Sequence, residues 1–246
     1  MSHSESTMEN GTEATILVVD DEPELLEIFA IWMSREGYTV LTAANGAEAL
    51  KVLTSTKVDA LISDIRMPVM DGLTLVRRIY EMKLQLPSII FVSGFGDVNP
   101  REAHALGVEA MLPKPLGRKH LLNVLEASLK ERESLWLEPT EEIATDTLVT
   151  EFSSLKLSEE ACEFQVGRGG VCFRYSRALP EDALVKLSIA FTEEQLRLNG
   201  QGRVRWSAAK DERVGVEFVY VAPESREWVL ARMDENPVYS FIPSCG

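Results

Sequence analysis

Between Thr15 and Leu137 a short β-branched run gives way to an amphipathic stretch five times over, and that alternation restricts the chain to very few folds. Thr15 to Val19 closes on Asp20, Asp21 and Glu22; Pro23 then suits a first helical turn, and Leu25, Ile28, Phe29 and Trp32 recur at helical spacing as far as Gly37. Thr39 to Ala43 leads through Asn45 and Gly46 into a helix carrying Ala49, Leu50 and Leu53. Asp59 to Ile65 precedes the turn from Met67 to Gly72 and a helix with Leu73, Val76, Ile79 and Tyr80. Ser88 to Ser93 breaks at Gly94, Phe95 and Gly96, ahead of a short helix from about Pro100 to Leu106, a strand from Ala110 to Pro113 and a long helix from Arg118 to about Leu137. Continuous apolar strands joined by helices require a parallel sheet covered on both faces.

The rhythm stops at Glu138, Pro139, Thr140, Glu141 and Glu142, because proline and clustered acids neither extend the helix nor open a core strand. Beyond it, runs at Cys162 to Val166, Val171 to Tyr175, Leu184 to Phe191, Leu196 to Trp206 and Val214 to Val221 alternate with period two, and Gly200 and Gly202 mark an irregularity. This pattern predicts a smaller, mainly antiparallel β-barrel. A short helix from about Pro223 to Met233 and a tail with Tyr239, Phe241 and Ile242 complete the chain. The expected organisation is a tail over 1–14, an α/β doubly wound domain over 15–137, a linker over 138–147, the β-barrel over 148–235 and a C-terminal tail over 236–246.

Charge narrows the partners. With 25 basic and 39 acidic residues the net charge is −14; 13 basic against 21 acidic residues before Pro139 give −8, and 12 against 18 after it give −6. A phosphate backbone is repelled by both halves, so no DNA is expected as a partner. The apolar runs are far shorter than the roughly 18 residues of a spanning helix, so no membrane insertion is expected. Residues 1–14 have no secretory pattern, so a cytoplasmic chain is expected. Cys162, Cys172 and Cys245 form neither a disulfide framework nor a zinc site, and two of them read as thiols buried in strands.

In an open parallel sheet, ligands bind outside the carboxyl ends of the strands. Asp20 and Asp21 end the first strand, Asp64 the third, Ser93 the fourth and Lys114 the fifth. Three carboxylates at one edge repel one another, and a hard, oxygen-seeking cation such as Mg²⁺ is the usual compensation. The lysine suits a second anion such as a phosphoryl group.

The segments Val18-Val19-Asp20-Asp21-Glu22, Asp64-Ile65-Arg66-Met67-Pro68-Val69-Met70-Asp71-Gly72, Val92-Ser93-Gly94 and Pro113-Lys114-Pro115-Leu116 resemble the receiver domain of bacterial response regulators. The resemblance implies a flavodoxin-like sheet and a two-component phosphorelay, with Asp64 as phosphoacceptor from a histidine kinase or phosphotransfer protein. It further implies Mg²⁺ at Asp20, Asp21, Asp64 and the backbone carbonyl of Arg66, with Ser93 and Lys114 stabilising the phosphoryl group. Where receivers often carry an aromatic switch residue this chain has Met111, and Phe95 reads as a packing residue rather than a substitute for it. An aspartyl phosphatase of the haloacid dehalogenase type fits less well, since Arg66 stands where that chemistry wants an acid two residues past the nucleophile.

In the second half, Gln165-Val166-Gly167-Arg168-Gly169-Gly170-Val171, Leu184 to Ile189, Gly202 to Trp206 and Val214 to Phe218 resemble a PilZ-type barrel by strand order and glycines. PilZ domains that bind cyclic di-GMP carry paired arginines ahead of the barrel, and this chain has none between Arg132 and Arg168. Arg203 and Arg205 alternate on one strand face and read as solvated charges. The expected output is therefore docking of a downstream protein, with a cyclic di-GMP receptor and a transcriptional regulator as alternatives. Leu121, Leu122, Leu125 and Leu129, continuing into Leu135, Trp136 and Leu137, predict a helix that either packs on the barrel or pairs with a second chain in a homodimer.

Overall fold

The computed structural model describes residues 14–94, 98–130, 134–235 and 240–244. Residues 1–13 of the tail, Phe95, Tyr239 and Cys245 lie outside them. Five parallel strands make one sheet in the order β2-β1-β3-β4-β5, and six later strands make a second sheet. The chain forms two compact units that divide between Pro87 and Ser88.

The first unit holds β1 (Thr15–Val19), α1 (Pro23–Ser34), β2 (Thr39–Ala43), α2 (Gly46–Ser55), β3 (Ala60–Asp64) and α3 (Gly72–Glu81). β1 pairs with both β2 and β3, with Val18 beside Thr42 and Ile62. Strands flanked on both sides and covered on both faces are apolar throughout, as Ile16 to Val19 and Ala60 to Ile62 are, whereas β2 at the sheet edge keeps Thr39 and Thr42 exposed. In α1 the buried pair is Phe29 and Met33, one turn apart; Ile28, read as core from its spacing, is 39% exposed. In α3 the inward stripe is Leu75, Val76 and Ile79.

The second unit continues with β4 (Ser88–Ser93), α4 (Pro100–Ala105), β5 (Val108–Pro113) and α5 (Arg118–Ser128). The expected helix to Leu137 ends much earlier. Leu129 caps α5, its N–H shared between the carbonyls of Leu125 and Ala127, and Trp136 has a φ of +58° that no right-handed helix contains. The apolar positions read as one helix belong to two cores. Leu121 and Leu125 are buried in α5, while Trp136 meets Phe218 edge-on with ring centroids 5.1 Å apart and its carbonyl accepts the Val221 N–H. Packing against the second sheet, one of the two expected outcomes, is thus made by a turn and not by a helix.

That second sheet comprises β6 (Asp146–Phe152), β7 (Phe164–Val166), β8 (Gly170–Arg174), β9 (Leu184–Phe191), β10 (Leu196–Ala208) and β11 (Arg213–Val221), with α6 (Leu155–Glu160) and α7 (Pro223–Glu235) beside it. The order β6-β9-β10-β11-β8-β7 leaves β6 and β7 as edges, so the sheet curls into a half-barrel; only the β6–β9 pair is parallel. β10 slips register between Gln201 and Gly202, at the glycines that marked an irregularity, and again between Val204 and Trp206. Such bulges bend a strand and let one sheet wrap its own core. Phe164, Phe173, Phe191, Val204, Val216 and Phe218 fill the concave face with Val229 of α7. Cys172 is buried in β8, but Cys162 lies in a left-handed turn before β7 (φ +53°), not in a strand.

Candidate functional site

Three carboxylates meet at the carboxyl ends of β1 and β3. Oxygens of Asp20, Asp21 and Asp64 lie within 4.8 Å of one another. Asp20 is buried, and its Oδ1 accepts the N–H of Glu22, which aims the residue across the start of α1; Asp21 is exposed. Asp64 is 8% exposed, and its Oδ1 accepts the N–H of Ile65 at 2.7 Å, fixing the rotamer. Its neighbour Ser63 donates to the Asp64 carbonyl.

The turn after β3 is held on several sides. The Gly72 N–H donates to the Ile65 carbonyl, Asp71 caps α3 by accepting from the Thr74 N–H, and the Met70 carbonyl accepts from Gly46 at the start of α2. A Cβ at position 46 would lie 2.8 Å from Met70. Val69 sits at φ +70°, a conformation β-branched residues rarely adopt, and is 86% exposed. Arg66 projects an exposed side chain from this turn, two residues past Asp64.

Hard anionic oxygens gathered this closely, two of them on buried residues, suit a divalent cation of the Mg²⁺ kind, since like charges taken out of water need a counter-charge. The donor set therefore fits the ion that the sequence implies.

In the second unit, Ser93 ends β4 and is 6% exposed, and Lys114 follows β5 half-buried. The Lys114 N–H donates to the Ser93 carbonyl at 2.8 Å, which fixes these two residues side by side. The Lys114–Pro115 peptide is cis. Met111 is half-buried in β5.

The arginines singled out in the second half are not solvated charges. Arg203 pairs with Glu142 at 2.7 Å, and Arg205 pairs with Glu217 and with Asp182. Arg168 reaches Glu109 Oε1 at 3.0 Å and the Gly107 carbonyl at 2.9 Å. Burial pushes the Glu109 carboxyl above its usual range, with Arg168 opposing that rise. Glu109 and His104 went unnoticed in the sequence, although an acid between Val108 and Ala110 in an apolar strand signals a buried partner.

A family model described as the response regulator receiver domain matches residues 16–126. The response regulator MprA of Mycobacterium ulcerans is 36% identical over 176 residues, covering 71% of this chain and 72% of MprA. The chain belongs to the response regulators, with a receiver domain in its first half. The transcriptional regulatory protein GlrR of Escherichia coli K12 is 37% identical over 118 residues, or 48% of this chain; the chain spans only 27% of GlrR's length. Among solved structures, the chemotaxis response regulator CheY4 of Vibrio cholerae is 31% identical, covering 48% of this chain and all of that one, with a TM-score of 0.43.

Proposed function

We propose that this protein is a phosphorelay response regulator whose Asp64 takes a phosphoryl group from the phosphohistidine of a sensor kinase or phosphotransfer protein. The cluster of Asp20, Asp21 and Asp64 at the strand ends carries this reading. An Asp64 carboxylate oxygen attacks phosphorus in line, the P–N bond to histidine breaks, and its electron pair returns to the imidazole nitrogen. Such transfers depend mainly on positioning and on neutralising charge. Asp20, Asp21, Asp64 and the Arg66 carbonyl would hold Mg²⁺, which when bound neutralises phosphoryl oxygens. The Ser93 hydroxyl donates to one phosphoryl oxygen and the Lys114 ammonium pairs with another.

The second sheet acts as a PilZ-like output that docks a downstream protein in the cytoplasm without contacting DNA. What supports this is the internal pairing of Arg168, Arg203 and Arg205, which leaves those guanidiniums committed. Among the described residues no helix is long and apolar enough to cross a membrane. A DNA-binding output is the second reading, favoured by the name of GlrR, although that similarity extends over 118 residues only.

Acetyl phosphate with Mg²⁺ tests the site. The protein gains one base-labile acyl phosphate by intact mass, and Asp64→Asn gains none; equal labelling of the two would overturn the assignment.

A further inference from the structure

Residues 240–244 run between α4 and the turn joining β7 to β8, bonded to both. On one side, the N–H groups of Arg168 and Gly169 donate to the carbonyls of Ser240 and Phe241, each at 2.9 Å. On the other, the Phe241 N–H donates to the His104 carbonyl at 2.9 Å, Ser240 Oγ donates to the Ala105 carbonyl at 2.8 Å, and Arg101 Nη2 donates to the Ser244 carbonyl at 2.7 Å. The segment's side chains are built in as well. Ile242 is fully buried against Cys172 and Trp206, and the Phe241 ring stands 5.8 Å from the His104 ring. A Cβ at Gly169 would land inside the Phe241 ring, and one at Gly167 would lie 2.5 Å from the Phe241 carbonyl oxygen, so the turn is glycine where the segment presses on it.

We propose that residues 240–244 are a regulatory strap, clamped across α4 and the β7–β8 turn in the resting protein and released when α4 shifts. The strap's backbone is bonded to both partners within two residues, so it cannot follow one without leaving the other. A displacement of α4 by even 1 Å stretches bonds of 2.9 Å beyond useful length. α4 is the first helix after β4, the strand that ends in Ser93, and this release step rests on the reading of Asp64 as phosphoacceptor. Release uncovers the Arg168 and Gly169 amides together with the face of Cys172 and Trp206 that Ile242 covers.

Amide hydrogen exchange on the full chain tests both parts. In the resting protein the Arg168 and Gly169 amides are protected, and Phe241→Ala or removal of residues 240–246 speeds their exchange at least tenfold while the amides of β9 and β10 stay as slow as in the parent. Unchanged exchange in both variants would overturn the strap. With acetyl phosphate and Mg²⁺, the parent shows the same tenfold rise at these two amides, and Asp64→Asn does not. Acyl phosphate confirmed by mass with protection unchanged would overturn release alone. Absence of acyl phosphate in the parent would overturn the Asp64 reading and release with it, leaving the strap to the variant data.

Discussion

His104 is buried on α4, with its ring Nδ1 2.7 Å from the Val108 carbonyl, so Nδ1–H donates there. Desolvation above all, with the charge of Arg205 adding to it, lowers its pKa from 6.5 to about 4, against the Val108 bond that favours the cation. The folded protein therefore holds a neutral imidazole at pH values where the unfolded chain binds a proton. Stability from this group is complete above pH 6.5, declines as pH falls toward 4, and levels off below it. A gap of this size corresponds to about 3 kcal/mol over the whole window. His104→Gln keeps an N–H donor and removes the titration. Urea melts of both proteins from pH 7 to pH 4 should show the parent losing stability that the variant keeps, and parallel curves would contradict the neutral ring.

At the scale of elements, α2 shows how local chemistry sets a boundary beside the site. Asn45 accepts from the Glu48 N–H at 3.0 Å, and Glu48 returns to the Ala44 N–H at 3.1 Å, a reciprocal cap that starts the helix where Gly46 meets Met70. Asn45→Ala should cost about 1 kcal/mol in a urea melt and Asn45→Asp should recover most of it; a variant as stable as the parent would mean the cap is satisfied by water alone. Elements of this kind were legible: the first four strands of the parallel sheet stand within a residue of the runs read for them, the fifth starts at Val108, two residues ahead of its reading, and Asp20, Asp21 and Asp64 converge because each stands at the carboxyl end of a strand. The long helix was misread because period 3.6 cannot tell one apolar face from two faces serving different cores, and Trp136 leaves α5's direction to pack on Phe218. β6 went unread because its burial alternates while its residue types do not: Thr150 faces inward between Leu148 and Phe152, and the apolar Val149 faces out, 68% exposed. The strap was illegible because Phe241 and Ile242 are separated from their partners Trp206, Cys172 and His104 by about 36 to 137 residues of chain, and no local pattern encodes such a contact.

The whole molecule carries a net charge of −14, and five arginines of the second unit are paired with acids of that unit: Arg168 with Glu109, Arg203 with Glu142, Arg205 with Glu217, Arg174 with Glu212 at 2.9 Å, and Arg177 with Asp146. A cleft of about 640 Å³ lies among Glu109, Arg168, Arg205, Glu217, Trp136 and Phe218, large enough for a nucleotide yet lined by paired charges. Lys130 and His120 also line the cleft, but a phosphate that binds Arg168 or Arg205 must take the guanidinium from a carboxylate. Two charge-assisted bonds from Arg168 and Arg205 would contribute about 3–6 kcal/mol, while stranding the desolvated Glu109 carboxylate costs about 3–5 kcal/mol. The remainder falls well short of the roughly 8 kcal/mol that micromolar affinity requires. Neither random duplex DNA in filter binding at low salt nor cyclic di-GMP in calorimetry at tens of micromolar should therefore give saturable binding. A DNA association constant whose logarithm falls linearly with the logarithm of salt would restore the transcriptional reading, because that slope counts phosphates neutralised by the protein. A saturating cyclic di-GMP isotherm that Arg168→Ala abolishes would instead show that the Arg168–Glu109 pair opens to a ligand, and the output would then be a second-messenger receptor in place of a protein-docking sheet.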